Sequence, residues 1–437
     1  MKKKRVLALL LTTVMGLGLL TGCGGSGSSS ESADSKDAEE GKTLSMMCIG
    51  TTADAYMEGY QSIIDSFNEN NEFGVTVDAE FVSNSDYKTK LTTLMASDSE
   101  PDIIFTWELG YLQTFVDGGK IVDLTPYLEE DTAWKDSFND GMLDQLTYDG
   151  KVYGIPTQEC VGTMYYNKAI FEENGVAVPT TYEEYRQVCD TLVANGVTPV
   201  ALASTPDDAW LVSQYIQQLA NGIGGYEYFE SLKDGTGKWN DDTMVQAAKL
   251  FQEEVEAGYY EDGFTGVSGT EAEALFQSGQ TAMYYNGSWE TSNLDNSEYC
   301  EVSEDVSCFT MPAVDAENAY ISMGSVDSSY AVSTNCKNVD AAVGLLKYWT
   351  NAENASMLLY DYGRMPSTKV ELDQSKLSSL CIDVIARFEE QKSLTPWFDR
   401  VDTNIGNEFN NCGVSISNGE DPQGIYDGLQ EYAQSQS

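Results

Sequence analysis

Four tryptophans stand next to acidic, basic or amide side chains, a combination suited to holding a small molecule. Trp107 precedes Glu108, Trp210 follows the acidic stretch PDDA, Trp289 ends the stretch NGSW, and Trp397 lies in TPWFDR. An indole ring covers an apolar molecular face, while carboxylates, amides and guanidinium groups hydrogen-bond a polar rim. The pattern suits a binding site for a small molecule that has both an apolar face and a polar rim.

The charge and the absence of histidine narrow the possible partners and chemistry. The chain of 437 residues carries 24 Lys and Arg against 70 Asp and Glu, a net charge of −46, and no histidine. Such a surface repels nucleic acid and anionic lipid, so neutral or cationic small molecules fit it better. The lack of histidine excludes His-based triads and His metal sites. We expect no metal and no cofactor.

The first residues predict export and a lipid anchor. A basic start from Lys2 to Arg5 and an apolar run from Val6 to Leu20 are typical of a secretory signal peptide. The stretch Leu20-Thr21-Gly22-Cys23 resembles the bacterial lipobox, in which the cysteine is acylated and becomes the new N-terminus. We therefore expect residues 1–22 to be removed and Cys23 to be lipidated. Residues 23–42, rich in Gly, Ser and acids, predict a flexible tether, with the lipid as the only membrane contact.

The other eight cysteines are scattered and form no CxxC pair, which gives no support to a zinc ribbon or a thioredoxin-like site. Most are expected to be buried free thiols, because free cysteine packs as a small hydrophobic residue.

Strand and helix signals alternate after the tether and predict an α/β protein. Thr43 to Ile49 is expected to be a strand, and the next four elements continue the pattern β-α-β-α-β through PDIIFTW. Asp149-Gly150 predicts a hairpin, Thr181 and Glu184 a capping box, and Asp340 the cap of a helix over AAVGLLKYWT. Asp421-Pro422 is expected to open the last helix. The length and this pattern suggest two α/β lobes.

Four ordered stretches resemble the family 1 extracellular solute-binding proteins of ABC sugar importers, the group containing maltose-binding protein. They are PDIIFTWELGYLQTFVDGGKIVDLTPYL, YDGKVYGIPTQECVGTMYYNKAIFEENGVAVPTTYEEY, FQSGQTAMYYNGSW and YGRMPS. The resemblance implies a periplasmic-binding-protein-like fold of type II, with two α/β lobes, a hinge and a ligand cleft between them. It places residues 44–157 plus 324–350 in the first lobe and 158–323 plus 351–437 in the second.

The same resemblance implies a monomeric protein that binds a mono- or oligosaccharide and delivers it to ABC permease subunits. With the lipobox, it places the protein on the extracellular face of the cell membrane of a Gram-positive bacterium.

Residue patterns and the resemblance together predict the residues that contact ligand. Trp107 ends a strand, where open α/β sheets bind ligands, and Glu108 adjoins it. Gln158 and Glu159 follow GIPT at the expected crossover between lobes, and Glu159 matches a cleft carboxylate of the family. Strand alternation is expected to point either Tyr165 or Tyr166 inward, and Tyr165 is the candidate contact.

The remaining candidates come mainly from the second lobe and the hinge. The resemblance implies that Trp289 and Trp397 stack on sugar, with Arg400 a weaker candidate. The other candidates are Asp54 at a family position that binds hydroxyls, Trp210 at a helix start, Asn286 before the Trp289 loop, Met323, Gly324 and Asp327 in the hinge stretch ISMGSVDSS, and Arg364 in GRMPS.

Three alternatives stay open at this point. A carbohydrate-active enzyme would use paired carboxylates such as Glu108 and Glu159. The same scaffold could bind a polyamine, an amino acid or another cation in a tryptophan-lined cleft. A third possibility is a sensor that feeds a membrane histidine kinase rather than a permease.

Overall fold

The structure is a computed structural model that describes residues 41–436. The predicted signal peptide, the lipidation at Cys23 and residues 23–40 of the predicted tether lie outside the described residues. No helix within residues 41–436 is both long and apolar enough to span a membrane.

The strands of the described part form one mixed nine-stranded sheet and one small hairpin. Their bounds are β1 Thr43–Ile49, β2 Thr76–Val82, β3 Ile103–Thr106, β4 Thr147–Tyr148, β5 Lys151–Val152, β6 Ile155–Asn167, β7 Thr198–Ala201, β8 Thr281–Gly287, β9 Val306–Phe309, β10 Ile321–Val332 and β11 Ser393–Thr395.

The α-helices pack around these strands. Their bounds are α1 Met57–Asn70, α2 Asn84–Ala96, α3 Gly110–Asp117, α4 Thr125–Glu130, α5 Thr132–Ser137, α6 Lys168–Glu173, α7 Tyr182–Ala194, α8 Ala209–Lys233, α9 Asp242–Glu256, α10 Gly269–Gln277, α11 Thr291–Leu294, α12 Val339–Trp349, α13 Ala352–Tyr362, α14 Ser379–Glu390, α15 Phe398–Val401, α16 Thr403–Ser417 and α17 Pro422–Gln436.

The large sheet runs in the order β2-β1-β3-β10-β6-β8-β7, with β11 beside β10 and β9 beside β6. The pairs β1–β2 and β1–β3 are parallel, as the alternating pattern predicted. The long strands β6 and β10 are antiparallel to each other, and β10 is also antiparallel to β3. These two strands therefore connect the two ends of the sheet.

Two separate hydrophobic cores define two lobes. The first lobe buries side chains of β1–β3 and α1–α3 together with the end of β10 and α12. The second lobe buries side chains of β6–β8, α7–α9 and α15–α17, with a smaller neighbouring cluster around α14. Strands β6 and β10 contribute to both cores, so they cross from one lobe to the other. The residue boundaries predicted for the lobes stay predictions.

Strand β10 carries a bulge where it crosses between the lobes. Val326 pairs with Glu159 and Ser328 pairs with Gln158, which leaves Asp327 without a partner in the ladder. A bulge of this kind bends a strand and turns a side chain out of the regular alternation. The Asp327 side chain is thereby free to face the space between the lobes.

Local sequence signals had mixed outcomes. The capping box of Thr181 and Glu184 is present, and Asp149 and Gly150 form the β4–β5 turn with φ of 50° and 78°. The prediction that Asp340 caps α12 is wrong, because the cap is Asn338, whose side chain accepts from the Ala341 amide. Asp340 instead accepts a hydrogen bond from the Tyr127 hydroxyl.

The eight cysteines among the described residues are free and buried, in agreement with the expectation from their spacing.

Candidate functional site

A cavity of about 480 Å³ lies between the two lobes. Its walls contain aromatic, acidic, basic and amide side chains from both lobes. The predicted residues that line it are Asp54, Trp107, Trp210, Trp289, Asp327, Arg364 and Trp397, together with the weaker candidate Arg400. The structure therefore brings these residues together around one space.

Trp289 is the central ring of a three-tryptophan group on the second lobe. Its ring centroid lies 6.1 Å from that of Trp210 and 5.5 Å from that of Trp397, with interplanar angles of 51° and 36°. Trp397 is only 3% exposed, whereas Trp210 and Trp289 are half-buried. The aromatic surface open to the cavity thus belongs mainly to Trp210 and Trp289, and Trp397 supports Trp289 from behind.

Trp289 lies in a single 3₁₀ turn, Ser288–Glu290, that directly follows β8. Asn286 and Gly287 are still part of β8, opposite Thr163 and Gly162, so they do not form the loop that the sequence suggested. A Cβ atom at position 287 would overlap the Trp289 ring. Glycine at this position lets the indole lie against the backbone.

Trp107 occupies the opposite wall, directly after the carboxyl end of β3, as predicted. Two rings hold it edge-on, Phe105 at 4.9 Å and Tyr111 at 5.0 Å between centroids. The ammonium nitrogen of Lys88 lies 4.9 Å from its ring centre. Trp107 is 8% exposed and belongs to the first core, so it presents only a small surface to the cavity.

Every cationic side chain that lines the cavity in the described part of the chain has a carboxylate partner. One nitrogen of Arg400 donates to both oxygens of Glu108 at 2.9 Å, Arg364 pairs with Asp327, and Lys88 lies 3.6 Å from Asp399. The Arg400 pair is buried and joins the two lobes, because Glu108 lies beside the first core and Arg400 beside the second.

These cations also cover aromatic rings. The Arg400 guanidinium carbon lies 4.2 Å from the Trp397 ring centre, and that of Arg364 lies 4.6 Å from the Tyr56 ring centre. Arg364 further donates to the Tyr60 hydroxyl at 3.3 Å. The guanidinium groups are therefore fixed by both charge and stacking.

Three carboxyl groups gather at one end of the cavity. Asp54 and Glu290 line it, and Glu273 lies behind them. Burial, followed by the neighbouring Glu273 and Asp54 carboxylates, raises the pKa of Glu290 well above its ordinary value. Burial also raises the pKa of Glu273. This arrangement favours a protonated carboxyl at the wall, which can both donate to and accept from a hydroxyl group.

Four of the predicted contact residues are buried away from the cavity. Glu108 is fully buried in its pair with Arg400, and Gln158 is 2% exposed and accepts from the Tyr60 hydroxyl at 3.0 Å. Met323 packs in the second core. A Cβ atom at Gly324 would lie 2.5 Å from the Cys160 carbonyl oxygen, because β6 and β10 approach closely there.

Three further predicted residues also lie outside the cavity lining. The Tyr165 hydroxyl contacts the Gly287 carbonyl at 3.3 Å within a packed cluster, and its neighbour Tyr166 packs on Phe171 and Phe309. Glu159 accepts from Asn139 at 3.1 Å on another side of β6. Asn286 is 1% exposed and hydrogen-bonds residues that form the wall. Glu108 and Glu159 therefore do not form a carboxylate pair across the cavity.

Sequence reasoning missed several residues of the wall. Glu290 follows Trp289 just as Glu108 follows Trp107. Taking the acidic residue directly after each tryptophan as a candidate therefore predicts Glu290 as well as Glu108. The others include Tyr56, Lys88, Asn293, Asp399 and a row of asparagines on α16, which are Asn407, Asn410 and Asn411. The spacing of these asparagines places them on one helix face, and that signal was available.

The fold and cavity together define a two-lobed α/β protein with a cavity between its lobes, lined by aromatic, charged and amide side chains. The chain belongs to the bacterial extracellular solute-binding protein family, whose model matches residues 51–356. The type II fold predicted from the sequence is thereby confirmed, and the family consists of binding proteins.

Individual proteins match this chain at low identity. The chain is 24% identical to the multiple sugar-binding protein of Streptococcus mutans over 73% of this chain and 74% of that protein. It is 23% identical to an ABC transporter extracellular-binding protein of Pyrococcus horikoshii over 66% of each chain. A solved structure from work on xylan utilization by Caldanaerobius polysaccharolyticus is 28% identical, with a TM-score of 0.83 over 89% of this chain and 99% of that one.

Proposed function

We propose that the protein captures an uncharged sugar or oligosaccharide between its lobes and delivers it to the permease of an ABC importer. The observation that carries this proposal is the half-buried face of Trp289 and Trp210 beside the hydroxyl-binding groups Asp54 and Glu290. Indole faces suit the apolar C–H faces of a pyranose, and carboxyl groups suit its hydroxyl rim.

The ion pairs favour an uncharged ligand over an anionic one. Lys88, Arg364 and Arg400 each already have a carboxylate partner, while Asp54 and Asp207 add further negative charge to the wall. A uronate would therefore lose hydration without gaining a free cationic partner.

The same pairs weaken the case for a cationic ligand. Protein cations already lie on the rings of Trp107, Trp397 and Tyr56, which leaves Trp210 and Trp289 for cation–π contact with a bound amine. One relative is a multiple sugar-binding protein and a similar solved structure comes from work on xylan utilization, which also favours a carbohydrate.

We further propose that the lobes move about the β6 and β10 crossing and close on the ligand. Contacts between lobes support this view, since the Ala55 amide donates to Asn293 at 2.9 Å and Arg400 pairs with Glu108. The predicted lobe boundaries and the predicted residues that line the cavity are part of this proposal, as are the monomeric state and the lipid anchor at Cys23.

The ligand proposal is tested by a thermal-shift panel on the purified protein. The panel contains glucose, xylo-oligosaccharides, malto-oligosaccharides, galacturonate and quaternary amines. We expect stabilisation by at least one neutral sugar, recovery of that sugar intact, and none by galacturonate or the amines. Stabilisation by amines alone would favour a cation-binding protein instead. Cleavage of the sugar would favour a carbohydrate-active enzyme.

The anchor proposal is tested by labelling cells with a palmitate analogue. We expect the wild-type chain to carry the label and to be recovered in the membrane fraction. The Cys23→Ser variant is expected to be unlabelled and absent from that fraction. Equal membrane association of the two chains would contradict the anchor.

A further inference from the structure

A buried chain of hydrogen bonds joins the indole nitrogens of the two neighbouring tryptophans in the cavity wall. Trp397 Nε1 donates to Gln214 Oε1 at 3.0 Å, and Gln214 Nε2 donates to Asn286 Oδ1 at 3.3 Å. Asn286 Nδ2 then donates to Glu290 Oε1 at 3.0 Å, and the same oxygen accepts from Trp289 Nε1 at 3.1 Å. Gln214 and Asn286 are each 1% exposed.

The chemistry of the groups fixes the direction of this chain. An indole N–H can only donate, so the Gln214 amide must turn its oxygen towards Trp397 and its nitrogen towards Asn286. The Asn286 oxygen also accepts from the Gly287 amide at 2.9 Å, and its nitrogen also donates to the Tyr284 hydroxyl at 2.7 Å. Neither amide can rotate without breaking several buried hydrogen bonds.

Both indole N–H groups are therefore occupied by protein acceptors. The rings pack against each other at a tilt of 36° with centroids 5.5 Å apart, and Trp289 is the more exposed of the two. What this part of the wall offers to a ligand is a fixed aromatic face, with no indole hydrogen-bond donor left over.

We propose that Gln214 is a positioning residue that holds Trp289 and Trp397 as one unit for ligand recognition. It lines no part of the cavity and acts through Asn286 and Glu290. The role in recognition rests on the proposed function, whereas the mechanical link between the two rings does not.

The link is tested by NMR on the full chain labelled with ¹⁵N at the indole nitrogen of its seven tryptophans. Trp289→Phe and Trp397→Phe assign the two signals. Gln214→Met keeps the side-chain length and removes both hydrogen bonds. The matched control is Asn221→Leu, since Asn221 lies on the same helix, is fully buried and donates one hydrogen bond, to Thr395 Oγ1 at 2.8 Å.

We expect Gln214→Met to move the indole signals of both Trp289 and Trp397 and to speed their hydrogen exchange, with the other five signals unchanged. Asn221→Leu is expected to leave both signals in place. A shift of Trp397 alone, of neither ring, or of all seven signals equally would overturn the proposal. If the variant fails to fold, exchange in the wild type decides, because rapid exchange of the Trp289 indole would overturn the link.

A second measurement tests the role in recognition with xylotetraose, maltotetraose and glucose as probes. For a sugar that binds the wild type, Gln214→Met is expected to raise Kd about tenfold, while Asn221→Leu changes Kd less than twofold. An unchanged Kd for Gln214→Met would overturn this role. If no sugar binds, the proposed function has failed and the NMR result still decides whether the rings are linked.

Discussion

At the level of single residues, the contact between Gly287 and Trp289 predicts a strong effect of one methyl group. Gly287 has φ −78° and ψ 161°, which alanine adopts without strain. Gly287→Ala is therefore expected to act only through the displaced indole, raising Kd at least about tenfold for a sugar that binds. The measurement is isothermal titration calorimetry.

Gly428→Ala is the matched control, because position 428 lies in α17 with no atom within reach of a new Cβ. We expect unchanged affinity and about 0.5–1 kcal/mol of added stability from the better helix propensity of alanine. Equal affinity of Gly287→Ala and the wild type would show that the Trp289 ring position does not matter for binding.

Glu159 predicts how stability depends on pH. Burial raises the pKa of this carboxyl to about 7, and its hydrogen bond from Asn139 only partly opposes this. The folded protein therefore holds a proton that the unfolded chain has released, so the contribution of Glu159 is present below about pH 4.5 and is lost as pH rises to about 7.

The prediction is tested by urea unfolding of the wild type and Glu159→Gln from pH 4.5 to 8. Glutamine keeps an acceptor for Asn139 and does not titrate. We expect the wild type to lose about 1–3 kcal/mol relative to the variant across this range. Parallel pH curves would mean that Glu159 titrates at its ordinary pKa.

The side chain types of the site were predictable, but several of their directions were not. The rule that joins an acid to a tryptophan selected Glu108, yet Leu109 follows with φ 57° and the Glu108 carboxylate is buried against Arg400. A local backbone turn decides which side of a strand end a residue faces. The residue types near Glu108 do not predict the turn at Leu109. Arg400, the weaker candidate from TPWFDR, lies in the cavity wall as the partner of Glu108.

At the level of elements, one face of α16 forms part of the cavity mouth through Asn407, Asn410 and Asn411. Asn407 and Asn411 are exposed there, across from the start of α2. Replacing both by alanine is expected to weaken oligosaccharide binding by about two- to tenfold, since each lost hydrogen bond is worth about 0.5–1.5 kcal/mol. Monosaccharide affinity is expected to stay the same.

Asn404→Ala on the same helix is the control, because Asn404 is exposed and lies outside the cavity wall. Calorimetry with sugars of one to four units measures the effect. A loss of affinity that does not depend on chain length would contradict the assignment of this face to the mouth.

Elements with clear periodicity were predicted well, and those with special roles were not. Strand β2 follows a near alternation of buried and less buried residues, β1 and β3 are short apolar runs, and α1 buries residues at helical spacing. Strand β10 is buried on both faces and bulged at Asp327, and a short polar-rich stretch such as ISMGSVDSS gives no periodic signal for that. The cap of α12 fell to Asn338 rather than Asp340, since both residue types favour caps and only tertiary contacts separate them.

At the level of the whole molecule, the ion pair of Arg400 and Glu108 predicts how strongly the lobes depend on each other. Arg400→Met leaves the buried Glu108 carboxylate without its partner, which is expected to cost about 3–5 kcal/mol of stability. Adding Glu108→Gln removes that charge and is expected to recover most of the loss. Urea denaturation of the two single variants and the double variant measures the coupling.

Losses that simply add in the double variant would contradict a direct interaction across the lobes. Lys376→Met is a suitable control, because Lys376 pairs with Asp373 on the exposed surface and such pairs contribute little. We expect it to change stability by less than about 1 kcal/mol.

The family and two-lobed fold were predictable from ordered stretches that span the chain, because such stretches carry many residues at once. The ion pairs that neutralise the cavity cations were not predictable, since their partners lie far apart in sequence, as with Glu108 and Arg400. Long-range pairing of this kind depends on how the crossing strands bring the lobes together.

The buried free cysteines give each lobe a natural probe of its own opening. Burial raises the pKa of Cys48 in the first core and of Cys412 in the second to about 12, so neither forms a reactive thiolate while its surroundings stay packed. Alkylation rates followed by mass spectrometry would therefore time the opening of each half separately, with no introduced label. A bound sugar that holds the two lobes together should lower the alkylation rates of Cys48 and Cys412 by the same factor.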